Sequence, residues 1–374
     1  MDKTMEKEDF RAYQSFYKTA FRRLSKKQKT MNRKLGTDEN PLIVTAREGL
    51  ADLNAGGKML RGMLVTLGFR IAMREPADDS YADTLALAFE TFQTGILIHD
   101  DIIDNAELRR GKETIHHRHE RRVSEENIGL TAGEAGHLSK SVALCAGDYA
   151  LYEAIRIISA GYPDAESLGS LIRYFSEVVL DTIRGELLDV MLPSELKLLP
   201  EAEAGTLLEK TVEDIYRLKT AKYSVIGPLH LGMLLGGASP QKMRALDSMA
   251  EDLGIAYQIK DDILGIFADE KELGKDVGSD ISEGKQTILY MYVRNRKPEY
   301  LPNLLAYYGK PAGRPEIDAV REIFRESGAL DFAKEEMEKC FLRAEEKLAS
   351  LRWMDKDSRR ILRGFIGYCR GRKY

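Results

Sequence analysis

The sequence predicts an all-α fold, a large antiparallel helix bundle, and three observations carry that expectation. Apolar residues recur at three- and four-residue steps along most of the chain. Sustained alternation flanked by turn pairs, the mark of strands and hairpins, is scarce. Hydrophobic residues make up 43% and charged residues 31% of 374 positions, with only 11 prolines, so a sizeable core can be filled by helices that are seldom broken.

The formal net charge of -4 gives no reason to expect a nucleic acid partner. Cys145, Cys340 and Cys369 are far apart and form no CxxC, which speaks against a disulfide framework or a zinc site and for a reducing cytoplasm. The chain holds no apolar run of the roughly 18 residues that a membrane span needs. Its start, MDKTMEKEDF, is charged where a signal peptide would be apolar.

Residues 10–35 read as an amphipathic helix through Phe10, Tyr13, Tyr17, Phe21, Leu24, Met31 and Leu35. Its polar face is basic, from Arg11 to Lys34, with no acid between Phe10 and Gly36. That face suits either peripheral contact with a membrane surface or, more ordinarily, solvent on a helix packed against the core. Residues 1–40 therefore form a basic helical extension, and 41–374 an all-helical domain. After the loop Gly36–Pro41, Leu42, Ile43, Ala46, Leu50 and Leu53 run into Asn54-Ala-Gly-Gly-Lys-Met-Leu-Arg-Gly62. Gly56 and Gly57 let backbone approach a ligand, and Lys58 and Arg61 add two cations. Alone, such a stretch is more often a plain helix connection. Residues 63–73 and 82–104 continue as apolar helices across a polar link, Glu75–Asp83.

The second of these helices ends in residues 97–111, LIHDDIIDNAELRRG, around which the chain is organised. If helical, Asp100 and Asp104 lie on one face. Carboxylates at a helix end are ordinarily N-terminal dipole partners or solvated, but these follow an apolar run toward a C-terminus, where negative charge is disfavoured. A bound cation resolves the repulsion, and hard oxygen ligands suit Mg2+ bridging to a phosphate. Arg109 and Arg110 add forked donors for phosphate oxygens.

Residues 111–137 are polar and carry His116, His117, His119 and His137, which, with no cysteine nearby, read as a hydrophilic loop or helix end and not a zinc cage. Helical periodicity resumes over 138–160, about 165–190 and 210–237, with Pro193–Ala204 as a connection broken by its two prolines. The helix from Lys242 to Phe267 repeats the opening theme: an apolar run delivers Asp261 and Asp262 to a helix end. A charged segment with Gly274-Lys275 and Gly284-Lys285 follows, and 286–368 reads as helices broken at Pro298–Pro302 and Gly309–Pro315. Two Asp-Asp pairs about 160 residues apart can face one another across the mouth of a helical bundle and clamp a diphosphate through metal, with an apolar interior behind for a hydrocarbon.

At these motifs the chain resembles the trans-isoprenyl diphosphate synthase (polyprenyl synthetase) family, over roughly residues 45–290. Asp100-Asp101-Ile-Ile-Asp104 followed by Arg109-Arg110-Gly111 looks like the family's first aspartate-rich motif, and Asp261-Asp262-Ile-Leu-Gly265 like its second. The resemblance implies a helical bundle around a central hydrophobic cavity, in which an allylic diphosphate ionises and its cation is attacked by the double bond of isopentenyl diphosphate. It further implies that Asp100, Asp101, Asp104, Asp261 and Asp262 bind Mg2+, three ions in all, and that Arg109, Lys219, Lys275 and Lys285 contact the allylic diphosphate. Lys58, Arg61, Gln93 and Arg110 would hold isopentenyl diphosphate, Thr220 and Gln258 would line the reacting centre, and two copies would form a homodimer. Without the resemblance Lys219 and Lys285 would pass as surface lysines and Gln93 as a core amide.

Three positions depart from the family pattern. Gly62 stands where a proline is usual, Glu186 where a glutamine is usual, and Gly265 where the second motif has its third aspartate. Upstream of Asp100, the small Gly95 and Ile96 followed one turn deeper by the ring of Phe92 predict a product past fifteen carbons, of twenty or somewhat more. A class I terpene cyclase shares the ionisation chemistry but needs no second diphosphate site, so Lys58, Arg61 and Arg110 favour the synthase. A non-catalytic partner subunit is favoured by Gly265 alone.

Overall fold

The computed structural model describes residues 3–35, 40–73, 78–162, 165–268 and 278–372. Nearly all are helical: α1 Lys3–Leu35, α2 Pro41–Ala55, α3 Leu60–Ala72, α4 Asp83–Ile103, α5 Ile115–Glu125, α6 Ala132–Gly161, α7 Ala165–Leu198, α8 Glu201–Ile215, α9 Gly227–Leu235 and α10 Pro240–Phe267, with further helices to Gly371. A two-stranded antiparallel hairpin, β1 Leu108–Arg109 and β2 Lys112–Glu113, follows α4. The chain divides into two compact units, one of Phe16–Arg173 and Leu231–Gly237, the other of Met1–Ser15, Tyr174–His230 and Ala238–Tyr374.

In the first unit, which carries the Asp100 motif, α4 lies along α6 because two glycines remove the side chains between them. A Cβ on Gly95 would stand 2.9 Å from the Gly147 carbonyl oxygen, and one on Gly147 would overlap the His99 ring. The absence of a side chain at Gly95 thus has a packing cause, the approach of α6. Around this seam Leu50, Ile98, Ile115, Ala143, Ala146 and Ala150 form an apolar cluster.

The basic face of α1 is partly used inside the protein. Arg23 Nε and Lys27 Nζ stand 2.6 and 2.9 Å from the two oxygens of Asp83, which is fully buried at the start of α4. Phe16, Ala20 and Leu24 are buried in the same unit. In the other unit Tyr13 packs on the rings of Phe365 and Tyr368, and the buried Asp9 binds Arg360 and Arg363. These contacts fit the packed-helix reading and give no support to membrane contact through residues 10–35. Among the described residues no helix is long and apolar enough to cross a membrane.

The second unit centres on residues Tyr216–Ile226, a π-helical stretch that joins α8 to α9. Widened turns of this kind recur where side chains must be re-aimed toward a site. Glycines admit it on two sides: a Cβ on Gly185 of α7 would stand 2.6 Å from the Lys219 nitrogen, and one on Gly254 of α10 would overlap Ala221. The expected break at Pro193 does not occur. Proline lies inside α7, and burial of Leu192 and Leu196 on either side of it holds the helix together where one backbone bond is lost. The break comes at Pro200, just before α8.

Much of the polar stretch 111–137 is also helical. Thr114 caps α5, accepting the His117 N–H, and its hydroxyl lies 3.3 Å from His116 Nδ1. His116 is 3% exposed, and burial lowers its pKa to about 4. An unfolded chain takes up this proton near pH 6.5 and the folded one only near 4, so stability falls as pH drops through that window. Between pH 7 and pH 5 the wild type is expected to lose about 2 kcal/mol more of unfolding free energy than His116→Gln. Urea titrations at the two pH values check this, and parallel losses would show that His116 titrates normally in the fold.

Candidate active site

The first acidic motif sits where α4 stops. Asn105 takes a left-handed backbone (φ 50°), the Ala106 N–H returns to the Asp101 carbonyl at 2.9 Å and the Asn105 N–H to that of Ile102 at 3.3 Å. This is a Schellman ending, which turns the chain sharply while satisfying the last carbonyls. Asp100, Asp101 and Asp104 therefore occupy the final turn, and the helix dipole offers them no help. Arg109 does: its Nη2 stands 2.8 Å from Asp100 Oδ2, and its Nε 2.6 Å from Asp101 Oδ1. Asp101 and Arg109 are both buried, and the three aspartates hold the guanidinium pKa above its ordinary value despite that burial.

The hairpin then separates the two arginines. Arg110 and Gly111 form its two-residue loop, both at positive φ, 55° and 72°, as a type I′ turn requires. Arg109, the last residue of β1, reaches back to the aspartates. Arg110 reaches the other way: its Nη1 donates to the Leu53 carbonyl at 2.8 Å, and it lies over the glycine pair, where a Cβ on Gly57 would come within 3.2 Å of it. The glycines and the second arginine of the sequence-predicted set thus come together. Lys58 is exposed beside them, its carbonyl bound by the Tyr17 hydroxyl at 2.9 Å, and Arg61 opens α3. Gln93 is half-buried on α4. Phe92, one position earlier, is wholly buried and edge-on to Phe89 at 5.5 Å, while Ile96 is half-buried.

In the second unit Lys219 and Thr220 leave the π-helical stretch in different directions. Lys219 Nζ lies between Glu186, 2.9 Å away, and Asp189, 2.6 Å away. The Thr220 hydroxyl donates to Gln258 Oε1, and Gln258 Nε2 donates to Asp262 Oδ1 at 2.7 Å. The Tyr216 hydroxyl takes the other oxygen of Asp262 and accepts the Ile288 N–H at 2.9 Å. Asp262 is consequently turned inward, with burial pushing its pKa up to about 7 against the pull of these donors. Asp261 is more exposed and pairs with Arg372 near the C-terminus. Lys285 stands 3.0 Å from Glu283 and 3.6 Å from Asp280. Lys275 falls outside the described residues.

These oxygens are the hard donors that Mg2+ prefers. Among the described residues no three acidic, histidine or cysteine side chains are drawn into a ready-made cage.

A family model described as polyprenyl synthetase matches residues 47–326. The chain belongs to that family. It is 31% identical over 283 residues to a short chain isoprenyl diphosphate synthase of Methanothermobacter thermautotrophicus, covering 75% of this chain and 76% of that one. With a farnesyl diphosphate synthase of Geobacillus stearothermophilus it shares 36% over 241 residues, 63% of this chain and 70% of the other. A geranylgeranyl pyrophosphate synthase from Corynebacterium glutamicum, solved in complex with isoprenyl diphosphate and magnesium, has a TM-score of 0.83 at 28% identity, covering 96% of this chain and 99% of that one. All are prenyl diphosphate synthases, and their names differ in product length.

Within this family the departures acquire physical causes. Gly62 is not part of a loop: it lies inside α3, and its N–H donates to Glu90 Oε1 at 2.7 Å, which a proline could not do. Glu90 is buried, its pKa raised by burial, and the charges of Arg61 and Arg110 act on it from nearby. Glu186, in place of glutamine, gives Lys219 a second carboxylate. Tyr216, Glu90 and Arg372 were not found by reading the sequence. Each is defined by a partner distant along the chain, and only the basic cast of the tail Arg370-Gly371-Arg372 offered a signal.

Proposed function

We propose that the protein is a Mg2+-dependent prenyltransferase that condenses isopentenyl diphosphate with an allylic diphosphate into an all-trans prenyl diphosphate of twenty carbons or somewhat more. The observation that supports it most is the hairpin that sends Arg109 to the aspartates and Arg110 to the glycine pair. It offers two anion sites from adjacent residues, one rich in carboxylates and suited to metal, the other purely cationic. A cyclase would need only the first.

Mg2+, three ions in the family pattern, would be held by Asp100, Asp101, Asp104 and Asp261, and would neutralise the charge that builds on the departing diphosphate. Arg109 and Lys219, now held by carboxylates, would turn to the diphosphate oxygens once metal takes their partners, joined by Lys275 and Lys285. Lys58, Arg61, Gln93 and Arg110 would fix isopentenyl diphosphate. Thr220 and Gln258, held in register by Asp262 and Tyr216, would line the centre where the new carbon–carbon bond forms, and the proton lost there passes to the released diphosphate. Asp262, with both oxygens engaged, is better suited to orient Gln258 than to meet a metal.

Product length would rest on Phe92 more than on Gly95, whose small size already has a packing cause. A reducing compartment, the cytoplasm, suits three free cysteines. On α7, Leu180, Ile183, Leu187, Val190 and Met191 form an exposed apolar stripe at helical spacing, the kind of surface a second copy of the chain would cover.

Purified protein given Mg2+, isopentenyl diphosphate and allylic starters of increasing length should consume both substrates. Asp100→Ala should reduce turnover by at least about a thousandfold with an unchanged circular dichroism spectrum, and activity within tenfold of wild type would refute the assignment. Phe92→Ala should lengthen the product by one or more five-carbon units on chromatography; an unchanged length removes Phe92 as the limit. Light scattering should give twice the chain mass, reduced to one by Leu187→Asp, whereas a monomeric wild type would exclude the homodimer.

A further inference from the structure

Lys58 and Arg61 stand on a stretch, Asn54–Gly62, that has little backbone stiffness of its own. It contains three glycines, and Met59 takes a left-handed backbone (φ 52°) as the chain enters α3 without a side-chain cap. Left-handed geometry at a residue with a Cβ is strained and persists only where the surroundings impose it.

Two residues of α4, one turn apart, take hold of the two ends of this stretch. At its start the Thr94 hydroxyl donates to Asn54 Oδ1 at 2.8 Å, both residues being buried. At its end the Gly62 N–H, a first-turn donor of α3 that no intrahelical acceptor can meet, donates to Glu90 Oε1 at 2.7 Å. The backbone N–H of Arg61 also favours the charge of this carboxylate. A Cβ on Gly62 would stand 3.2 Å from Glu90 Cγ and 3.3 Å from the Ala86 carbonyl oxygen, so α3 begins in close contact with α4.

If Glu90 merely filled the core, an apolar side chain would serve at lower cost, since a buried carboxylate gives up its hydration. Glu90 is 4% exposed, and what acts on it is the backbone at the foot of α3 together with the charges of Arg61 and Arg110. Both arginines belong to the proposed isopentenyl diphosphate site. The buried acceptor is thus placed where it sets the direction in which α3 begins, and Arg61 immediately precedes the residue it holds.

We infer that Glu90 is a positioning residue for the second anion site: by accepting from Gly62 its carboxylate fixes the entry to α3, and with it the placement of Lys58 and Arg61 for a diphosphate. This rests on the prenyltransferase reading above and assigns the part that keeps its cationic site in register. Glu90 acts through the backbone of α3 and not by touching substrate. A negative charge beside two arginines would by itself weaken anion binding, so loss of positioning and loss of charge push affinity in opposite directions when Glu90 is replaced.

Isothermal titration calorimetry of the full-length protein with isopentenyl diphosphate, alongside steady-state kinetics with Mg2+ and farnesyl diphosphate, separates the two. Glu90→Ala should raise the Kd and KM for isopentenyl diphosphate by about tenfold or more, with kcat at saturation and the KM for farnesyl diphosphate within about threefold of wild type. Glu90→Gln, which keeps an acceptor and drops the charge, should bind isopentenyl diphosphate at least as tightly as wild type. Adding Gly62→Pro to Glu90→Ala should bring the affinity back to within about threefold of wild type, because proline fixes φ without an acceptor and removal of the Glu90 side chain frees space beside position 62. A carboxylate needed only for stability would lower the melting temperature and leave these substrate constants unmoved. Circular dichroism establishes that each variant is folded, and if Glu90→Ala alone is not, the other two variants decide. Unchanged affinity in Glu90→Ala, a tenfold weaker Glu90→Gln or a folded double variant that stays weak overturns the role of Glu90 and leaves the prenyltransferase reading standing. A wild type that neither binds nor consumes isopentenyl diphosphate overturns both.

Discussion

Negative charge gathered at the ends of buried helices sets the terms for the rest of this protein. Carboxylates in the last turn of α4 and near the end of α10 meet the unfavourable end of the helix dipole and one another. Cations balance them, Arg109 on Asp100 and Asp101 and Arg372 on Asp261, and Lys219 does the same for Glu186 and Asp189 of α7. These pairs offset the crowded negative charge. Guanidinium and ammonium groups so placed are also good partners for phosphate oxygens.

Holding these pairs in place needs a close-packed frame, and glycines supply it by letting backbones approach. Gly95 and Gly147 bring α4 onto α6, while Gly185 and Gly254 admit the π-helical stretch that carries Lys219 and Thr220. Substitution at any of these positions would move helices that carry site residues, because close-packed interiors relay such shifts. Gly265 belongs to the same group for a different reason, since the neighbour it admits is the carboxylate of Asp280.

The helices and both acidic motifs were legible because 3.6-residue periodicity and runs of charge are local properties of the chain. Pro193 was misread because a proline's local penalty was outweighed by the burial of Leu192 and Leu196. The polar stretch after Gly111 concealed a capped helix, since Thr114 and the buried His116 give a weak signal by composition. Gly95 was read as space for a growing product, whereas the partner that needs its smallness, Gly147, lies more than fifty residues onward on another helix.

By itself the sequence determined the all-helical class, the family, and the two acidic and two basic motifs, because motifs depend on residue identity and short spacing. Tertiary structure alone decided how those residues divide their work. Adjacent in sequence, Arg109 and Arg110 part only because a hairpin turn aims them oppositely. Asp261 and Asp262 are likewise neighbours, yet one meets Arg372 and the other is enclosed by Tyr216 and Gln258. Charge is a property of a residue, but its partner is a property of the fold, since the groups that neutralise or orient it come from segments far apart along the chain.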